Sequence, residues 1–384
     1  MARKLRTGFE FPFSNATGSD QSKTINLTDY SDIFLGTYSM GWLSSPGFSG
    51  GYSLGQNSQI FKFATDARTL SNGTRGVYLN LMGGGGPNGY SMAIDLTKFS
   101  NGYYECGWCK QLTAFDSNRY AKPLYFYDGT DHYGIKIYGN GVGGVVIDIL
   151  KNNVMQSTDT IILSVNTWYF YEISLDNSGV ITITYNGTPV TYNSGVTFSN
   201  IQQLAALYSS SETNRSRCLD DVAINDGSGA SDNGLPNSIR GYNFFDAATL
   251  NTNSGFSAVG GTTVLANLQD GSDSTRVSTS ADLSYIDFSL PTLSGTGMSE
   301  TAANFTKIEA INLYGRQIEA TKTNSLLKAK ITDTVAVVNR EESLTLPLTV
   351  GNGSGTMFDD GSSDWVLANL DSGDMDFRVT FDKP

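Results

Sequence analysis

Asp220 and Asp221 stand side by side in RCLDDVAINDGSG, with Asn225 and Asp226 just beyond, and these side chains offer the hard oxygen ligands that Ca²⁺ takes. A Ca²⁺ ion held here would use Asp221 with Asp226. The competing assignment is structural. The pair precedes the apolar alternation Val222-Ala223-Ile224, and Asn225-Asp226-Gly227 reads as a turn, so the carboxylates would serve backbone N–H groups at the shoulder of a strand. Neighbouring residues of a strand point to opposite faces, so at most one of Asp220 and Asp221 can aim at a given ion. The spacing favours the structural assignment.

Other chemistry is sparse. His132, in DGTDHYGIKI, is the single histidine, and no Gly-x-Ser-x-Gly elbow leads into a helix, so a serine triad has no frame; the residue reads as a hairpin turn position. Cys106 and Cys109 have CxxC spacing but lie in the strand-like YYECGWCKQL, where a separation of three sends the thiols to opposite faces. They read as buried thiols, and with Cys218 they are too few for a disulfide framework. The run Gly83-Gly84-Gly85-Gly86 lacks the following Lys-Ser/Thr and the helix start of a phosphate cradle.

The elements that must position these groups are strands. The 384 residues hold 42 Gly, 20 Tyr and 20 Phe but only 16% charged residues, a balance that all-β proteins use. The length implies two domains. A net charge of -12, from 37 acidic against 25 basic residues, argues against nucleic acid and anionic membranes as partners. No apolar run reaches the ~20 residues of a membrane helix, and the basic start MARKLR meets Gly8 and Glu10 instead of an apolar core, so no signal peptide is expected and a product made in the cytoplasm is.

Residues 1–24 read as an N-terminal arm or first edge strand. From 25 to 245, short alternating runs such as PLYFYDG, YGIKIYG, GVVIDIL and WYFYEISLD recur between Gly, Asn and Asp turn signals. In WYFYEISLDNSGVITITYNGTPV, two period-two runs join through Asp176-Asn177-Ser178-Gly179, and a tight Asn186-Gly187 turn sends the chain back as a meander. A strand opening on Trp168-Tyr169 with Glu172 beyond it, the Asn-Gly hairpin, and the closing Leu219-Asp220-Asp221-Val222-Ala223-Ile224 together resemble the concanavalin A-like lectin/glucanase superfamily, the laminin-G-like jelly roll. The resemblance implies two stacked antiparallel sheets over residues 25–245. Residues 246–384 keep the period-two pattern with Gly, Asp and Ser turns, and read as a second, smaller β-sandwich. The order of a lectin-like domain closing on Asp-Asp, the turn Asp270-Gly271-Ser272-Asp273-Ser274-Thr275, and Asp364-Trp365 before a final strand resembles virion proteins of tailed bacteriophages.

Glucanases on such a jelly roll carry Glu-x-Asp-x-Glu or nearly that on one strand, because retaining hydrolysis needs two carboxyls about 5–5.5 Å apart. The nearest match, Glu172 to Asp176, lacks the central carboxylate and the second Glu. The expectation is therefore a non-enzymatic virion protein of tail, neck or capsid, and a homo-oligomer, since virion modules assemble as symmetric copies. Its first domain would meet host-surface glycan, and its second would bind other virion proteins. Sugars stack on aromatic faces beside amide and carboxylate groups, and the loops around Trp42, Tyr90, Tyr120 and Tyr208 offer such groups. A purely structural cement role without sugar binding and a glycan hydrolase remain as alternatives.

Overall fold

The computed structural model describes short strand segments among residues 3–94, residue 96, and residues 99–382 apart from 112–119, 141–143, 165–166, 210–215, 230–232, 238, 240–243, 270–274, 297–301, 318–325, 346–350 and 358–364. The chain forms two compact units, the first ending at Arg240. The fold is all-β, and among the described residues no helix is long and apolar enough to cross a membrane.

The strands of the first unit are β1 (Arg3–Thr7), β2 (Lys23–Thr24), β3 (Tyr38–Ser39), β4 (Phe61–Ala64), β5 (Tyr78–Met82), β6 (Tyr90–Ile94), β7 (Gly102–Gln111) and β8 (Tyr120–Tyr127). They continue as β9 (His132–Gly139), β10 (Gly144–Lys151), β11 (Val154–Ile162), β12 (Trp168–Asp176), β13 (Val180–Tyr185), β14 (Thr188–Asn193), β15 (Gln203–Ser209) and β16 (Ser216–Asn225). They make a jelly-roll β-sandwich of two antiparallel sheets. One has nine strands in the order β14-β13-β12-β7-β16-β5-β4-β2, with β1 also paired to β16; the other has seven, β11-β10-β9-β8-β15-β6-β3.

Alternation in the sequence becomes alternation in burial. Tyr171, Ile173 and Leu175 of β12, with Ile181, Ile183 and Tyr185 of β13, turn one face of the nine-stranded sheet inward, each 0% exposed. Leu124, Phe126, Ile135, Ile137, Ile147 and Ile149 do the same for the seven-stranded sheet. Burying such side chains stabilises by about 1.5–3 kcal/mol each, the dominant favourable term of a sandwich. Within this core lies the carboxylate of Glu105, also 0% exposed, which accepts hydrogen bonds from the Tyr103 and Tyr171 hydroxyls. Cys109 points inward, with its Sγ 3.0 Å from Tyr185 Oη. Cys106 points outward and its Sγ donates to the Asn237 carbonyl at 3.3 Å. The two thiols thus occupy opposite faces, as a strand with that spacing requires.

From Phe244 on, the described residues form the second unit, with β17 (Thr249–Ser254), β18 (Ser257–Val259), α1 (Val264–Gln269), β19 (Arg276–Ser278), β20 (Tyr285–Ser289), β21 (Ile311–Gln317), β22 (Leu326–Asp333), β23 (Val338–Thr345), β24 (Gly351–Met357), α2 (Leu367–Asp371) and β25 (Met375–Asp382). A five-stranded sheet, β17-β20-β25-β22-β23, is the main layer. One half of its buried face packs Ile286 and Phe288 against Val264 of α1; the other packs Ala329 and Ile331 against Leu313 of β21, Met357 of β24, Trp365 and Leu370. The β21–β24 ladder therefore serves as the opposing layer.

Candidate functional site

The two outward faces of the first unit differ. On the nine-stranded sheet, Asp220, Ala223 and Asn225 of β16 are buried, although their register with Trp108, Cys106 and Tyr104 turns them away from the core. Asn225 Nδ2 donates to the Gly234 carbonyl and Cys106 to that of Asn237, so the segment after β16 lies over this face. The outward face of the seven-stranded sheet instead carries half-buried Tyr127, His132, Lys136, Tyr138 and Gln203.

The ladder of β8, β9 and β15 arranges these groups in rows. Tyr127 pairs with His132 on one side and with Gln203 on the other. The tyrosine and imidazole rings stack with centroids 4.5 Å apart, and Tyr125, next along the same face of β8, stacks on His132 at 5.7 Å. Gly134 makes room for this: a Cβ there would stand 3.0 Å from the Tyr125 ring. Pro123, which cannot donate to a ladder, lies within the register shift between Ala121 and Tyr125.

Two turns fix the end of this row. Asp128 Oδ1 accepts from the backbone N–H of Thr130 and Asp131 and closes the β8–β9 turn. Asn152 and Asn153 take positive φ (50° and 64°) in the β10–β11 turn, a conformation asparagine tolerates. Asn152 then locks the turns together: its Oδ1 accepts from His132 N at 2.9 Å and its Nδ2 donates to Asp131 Oδ1 at 2.6 Å. Lys151 Nζ adds an ion pair to Asp131 Oδ2 at 2.7 Å. Hydrogen bonds from Lys151 and Asn152 hold the Asp131 carboxyl below the usual carboxylate range, and the Asp131 bond raises Lys151.

Further along the face, Asp148 of β10 sits opposite Lys136, whose Nζ lies 4.5 Å from the Tyr138 ring centroid. Burial first, and then a hydrogen bond to Asp148, push the Tyr138 hydroxyl above its ordinary pKa. Burial also pushes Tyr125 up to about 12. Asp148 is only 6% exposed. His132 Nδ1, Gln203 Oε1 and Asp148 Oδ1 are all shut from solvent with no hydrogen-bond partner. An unmet polar atom in such a position costs roughly 1–3 kcal/mol. All three lie on the outward face of the seven-stranded sheet.

Of the residues singled out from sequence, Trp42 lies outside the described residues. Tyr90, Tyr120 and Tyr208 fall in strands β6, β8 and β15, not in loops. These strands are adjacent: Ser209 pairs with both Tyr90 and Ala121, Tyr208 with Lys122, and Tyr120 with Tyr138. The fold therefore gathers the three positions at one end of the seven-stranded sheet, the Tyr138 end of the same face-bearing strands. Asp221 and Asp226 are not brought together. Asp221 occupies the bulge of β16 with φ 48°, and the strand from Val222 to Asn225 separates it from Asp226 by about 15 Å. Both are buried. Asp220 Oδ1 caps the Asp221 N–H, and Asp226 Oδ1 accepts from Ser228 N and Oγ, the turn-shaping role. Among the described residues no three His, Cys, Asp or Glu side chains converge on a point where a metal could sit.

Sequence reasoning passed over Tyr125, Tyr127, Lys136, Asp148 and Gln203, and placed His132 on a turn. The signal was present: Tyr125-Phe126-Tyr127 alternates, and a four-residue Asp-Gly-Thr-Asp turn puts His132 across from Tyr127.

No family model and no curated protein matches the chain. Among solved structures it is similar to the alginate lyase Aly36B, at 15% identity over 58% of this chain and 96% of that one, with a TM-score of 0.36. It is similar also to a GH131 β-glucanase catalytic domain from Podospora anserina (13% identity, 57% and 95% covered, TM-score 0.33) and to the Caenorhabditis elegans galectin LEC-6 (16%, 38% and 95%, TM-score 0.26).

Proposed function

We propose that the first unit is a non-catalytic glycan-binding module that uses the outward face of its seven-stranded sheet, and that the chain is a surface protein of a bacteriophage particle, with the second unit serving attachment or assembly. The observation that carries the binding reading is the row Gln203–Tyr127–His132, in which stacked rings adjoin polar atoms that lack partners. Aromatic surface beside unmet donors and acceptors is the chemistry a pyranose requires.

Binding is favoured over hydrolysis by where the carboxylates stand. Glu172 pairs with Cys106 and Thr184, and its same-face neighbours along β12 are Phe170 and Ser174, so among the described residues none of its ladder neighbours is the second carboxyl that retaining hydrolysis needs. Glu105 is engaged in the core. The virion placement is supported by the order of domains and short motifs in the sequence. Glycan cleavage is the second reading, and the imidazole of His132 beside two phenols is what favours it.

A glycan array probed with the purified chain tests the binding reading. Binding abolished by Tyr127→Ala is expected; silence across the array, with loss of particle stability when the gene is deleted, would instead support a cement role. Depolymerisation of a bound glycan, lost in His132→Ala, would move the reading to an enzyme. The virion reading is tested by searching purified particles for the chain by mass spectrometry.

A further inference from the structure

The unmet atoms of the seven-stranded sheet differ in what they can accept. Asp148, buried and turned outward between Ile147 and Ile149, is acceptor-only when ionised, and its Oδ1 has no partner. Gln203 Oε1 is a second such acceptor, at the other end of the face. A sugar hydroxyl or acetamido N–H donates to these oxygens. A uronate carboxylate or a sulfate brings only acceptors and a like charge.

The cations nearby are already committed. Lys136 lies across the ladder from Asp148, with its Nζ over the Tyr138 ring, and Lys151, which pairs with inward-facing Tyr133 and lies over its ring, is held by Asp131. Asp128 adds a further negative charge at that turn, and the whole chain carries -12. Such a field repels a polyanion before contact.

We infer that this face selects a neutral, hydroxyl-rich glycan chain and excludes uronate and sulfated polymers, an inference that rests on the glycan-binding reading above. The occupant is a chain of several sugars. From His132 to Tyr138 the face runs six residue steps of β9, about 20 Å at the rise of a strand, and the unmet acceptors lie at separate points along it.

Calorimetric titration of the full chain with neutral gluco-, manno- and galacto-oligosaccharides, and with oligouronates of equal length, tests this. The expected result is that one neutral series binds at least roughly ten-fold tighter than any oligouronate, as the loss of one charge-assisted hydrogen bond would give. Asp148→Asn should narrow that ratio, with circular dichroism checking its fold. Oligouronates binding as tightly as the neutral series would overturn the selectivity and leave the glycan reading standing. Binding by no oligosaccharide would overturn the glycan reading itself. Should Asp148→Asn fail to fold, the salt dependence of the unaltered protein decides: residual oligouronate binding should weaken at low salt, and strengthening there would overturn the inference.

Discussion

His132 and Tyr127 face each other directly across the β8–β9 ladder, with their rings stacked 4.5 Å apart at an interplanar angle of 22°. The contact has two separable parts, a stacked surface and a ring nitrogen, Nδ1, that lacks a partner. His132→Phe keeps the first and removes the second. Its thermal unfolding should stay close to that of the unaltered protein while glycan affinity falls. His132→Ala removes both, and should lose about 0.5–1.5 kcal/mol of stability as well. Equal affinity in His132→Phe and the parent would show that Nδ1 takes no part.

Much of this arrangement was legible in the sequence, and the part that was not has a physical reason. Period-two runs bounded by Asn, Asp and Gly fixed the strands from Trp168 to Val190 in their observed register, because inward Ile173, Ile183 and Val190 tolerate no one-residue slip. Which sheet face receives a ligand is a long-range property. It depends on the segment at Gly234–Asn237 lying over one sheet, and on β15 inserting beside β8, so that Gln203 joins Tyr127 from far along the chain. No local pattern around Gln203 announces that neighbour. The Asp220-Asp221 pair illustrates the converse: its turn-and-shoulder role was readable locally, while joint Ca²⁺ ligation by Asp221 and Asp226 needed a distance that only the strand between them sets.

The core carboxylate gives a second prediction. Glu105 is fully buried and receives the hydroxyls of Tyr103 and Tyr171. Glu105→Ala strands both hydroxyls and opens a void between the sheets, so unfolding by urea should show a loss of about 3–5 kcal/mol. Glu105→Gln, which keeps an acceptor, should lose distinctly less. A neutral outcome for Glu105→Ala would mean that the two phenols find other partners.

Backbone geometry gives a third. Gly179 ends the Asp176-to-Gly179 turn at φ 80°, and a Cβ there would stand 2.2 Å from the Val196 carbonyl oxygen. The left-handed backbone alone costs a non-glycine residue roughly 1–2 kcal/mol, and the collision adds to it. Gly179→Ala should therefore lower the melting temperature of the first unit well below that caused by Gly187→Ala, whose added Cβ meets nothing within 4 Å despite a similar φ of 85°. Equal losses from the two substitutions would show that the Val196 segment shifts freely.

The second unit offers a comparison within one chain. Asp333, 0% exposed at the end of β22, accepts from Val335 N and Ala336 N, and from Asn369 Nδ2 of α2 through both oxygens. Asp333→Ala would leave the β22–β23 turn and α2 without their common anchor, at a cost of about 2–4 kcal/mol. Hydrogen exchange should then accelerate in β22, β23 and α2, while amides of β12 and β13 in the first unit keep their protection. Acceleration in both units alike would mean that they unfold as one.

The last prediction concerns alkaline pH. Burial on the outward face raises the Tyr125 phenol to about 12, against 10.0 for an exposed tyrosine. A phenol is an acid, so a raised pKa means that the fold favours its neutral form. Below pH ~10 both folded and unfolded chains hold that proton, and the stabilisation is fully present. Between about 10 and 12 the unfolded chain releases it first, the unfolded state binds fewer protons, and stability falls as pH rises. Other tyrosines with raised values, Tyr104, Tyr133 and Tyr138, contribute to the same window. The part due to Tyr125 is isolated by difference: denaturation midpoints measured across this range should fall less steeply for Tyr125→Phe than for the parent. Superimposable slopes would show that Tyr125 ionises as an exposed phenol does, and that the ring stack around His132 is open to water.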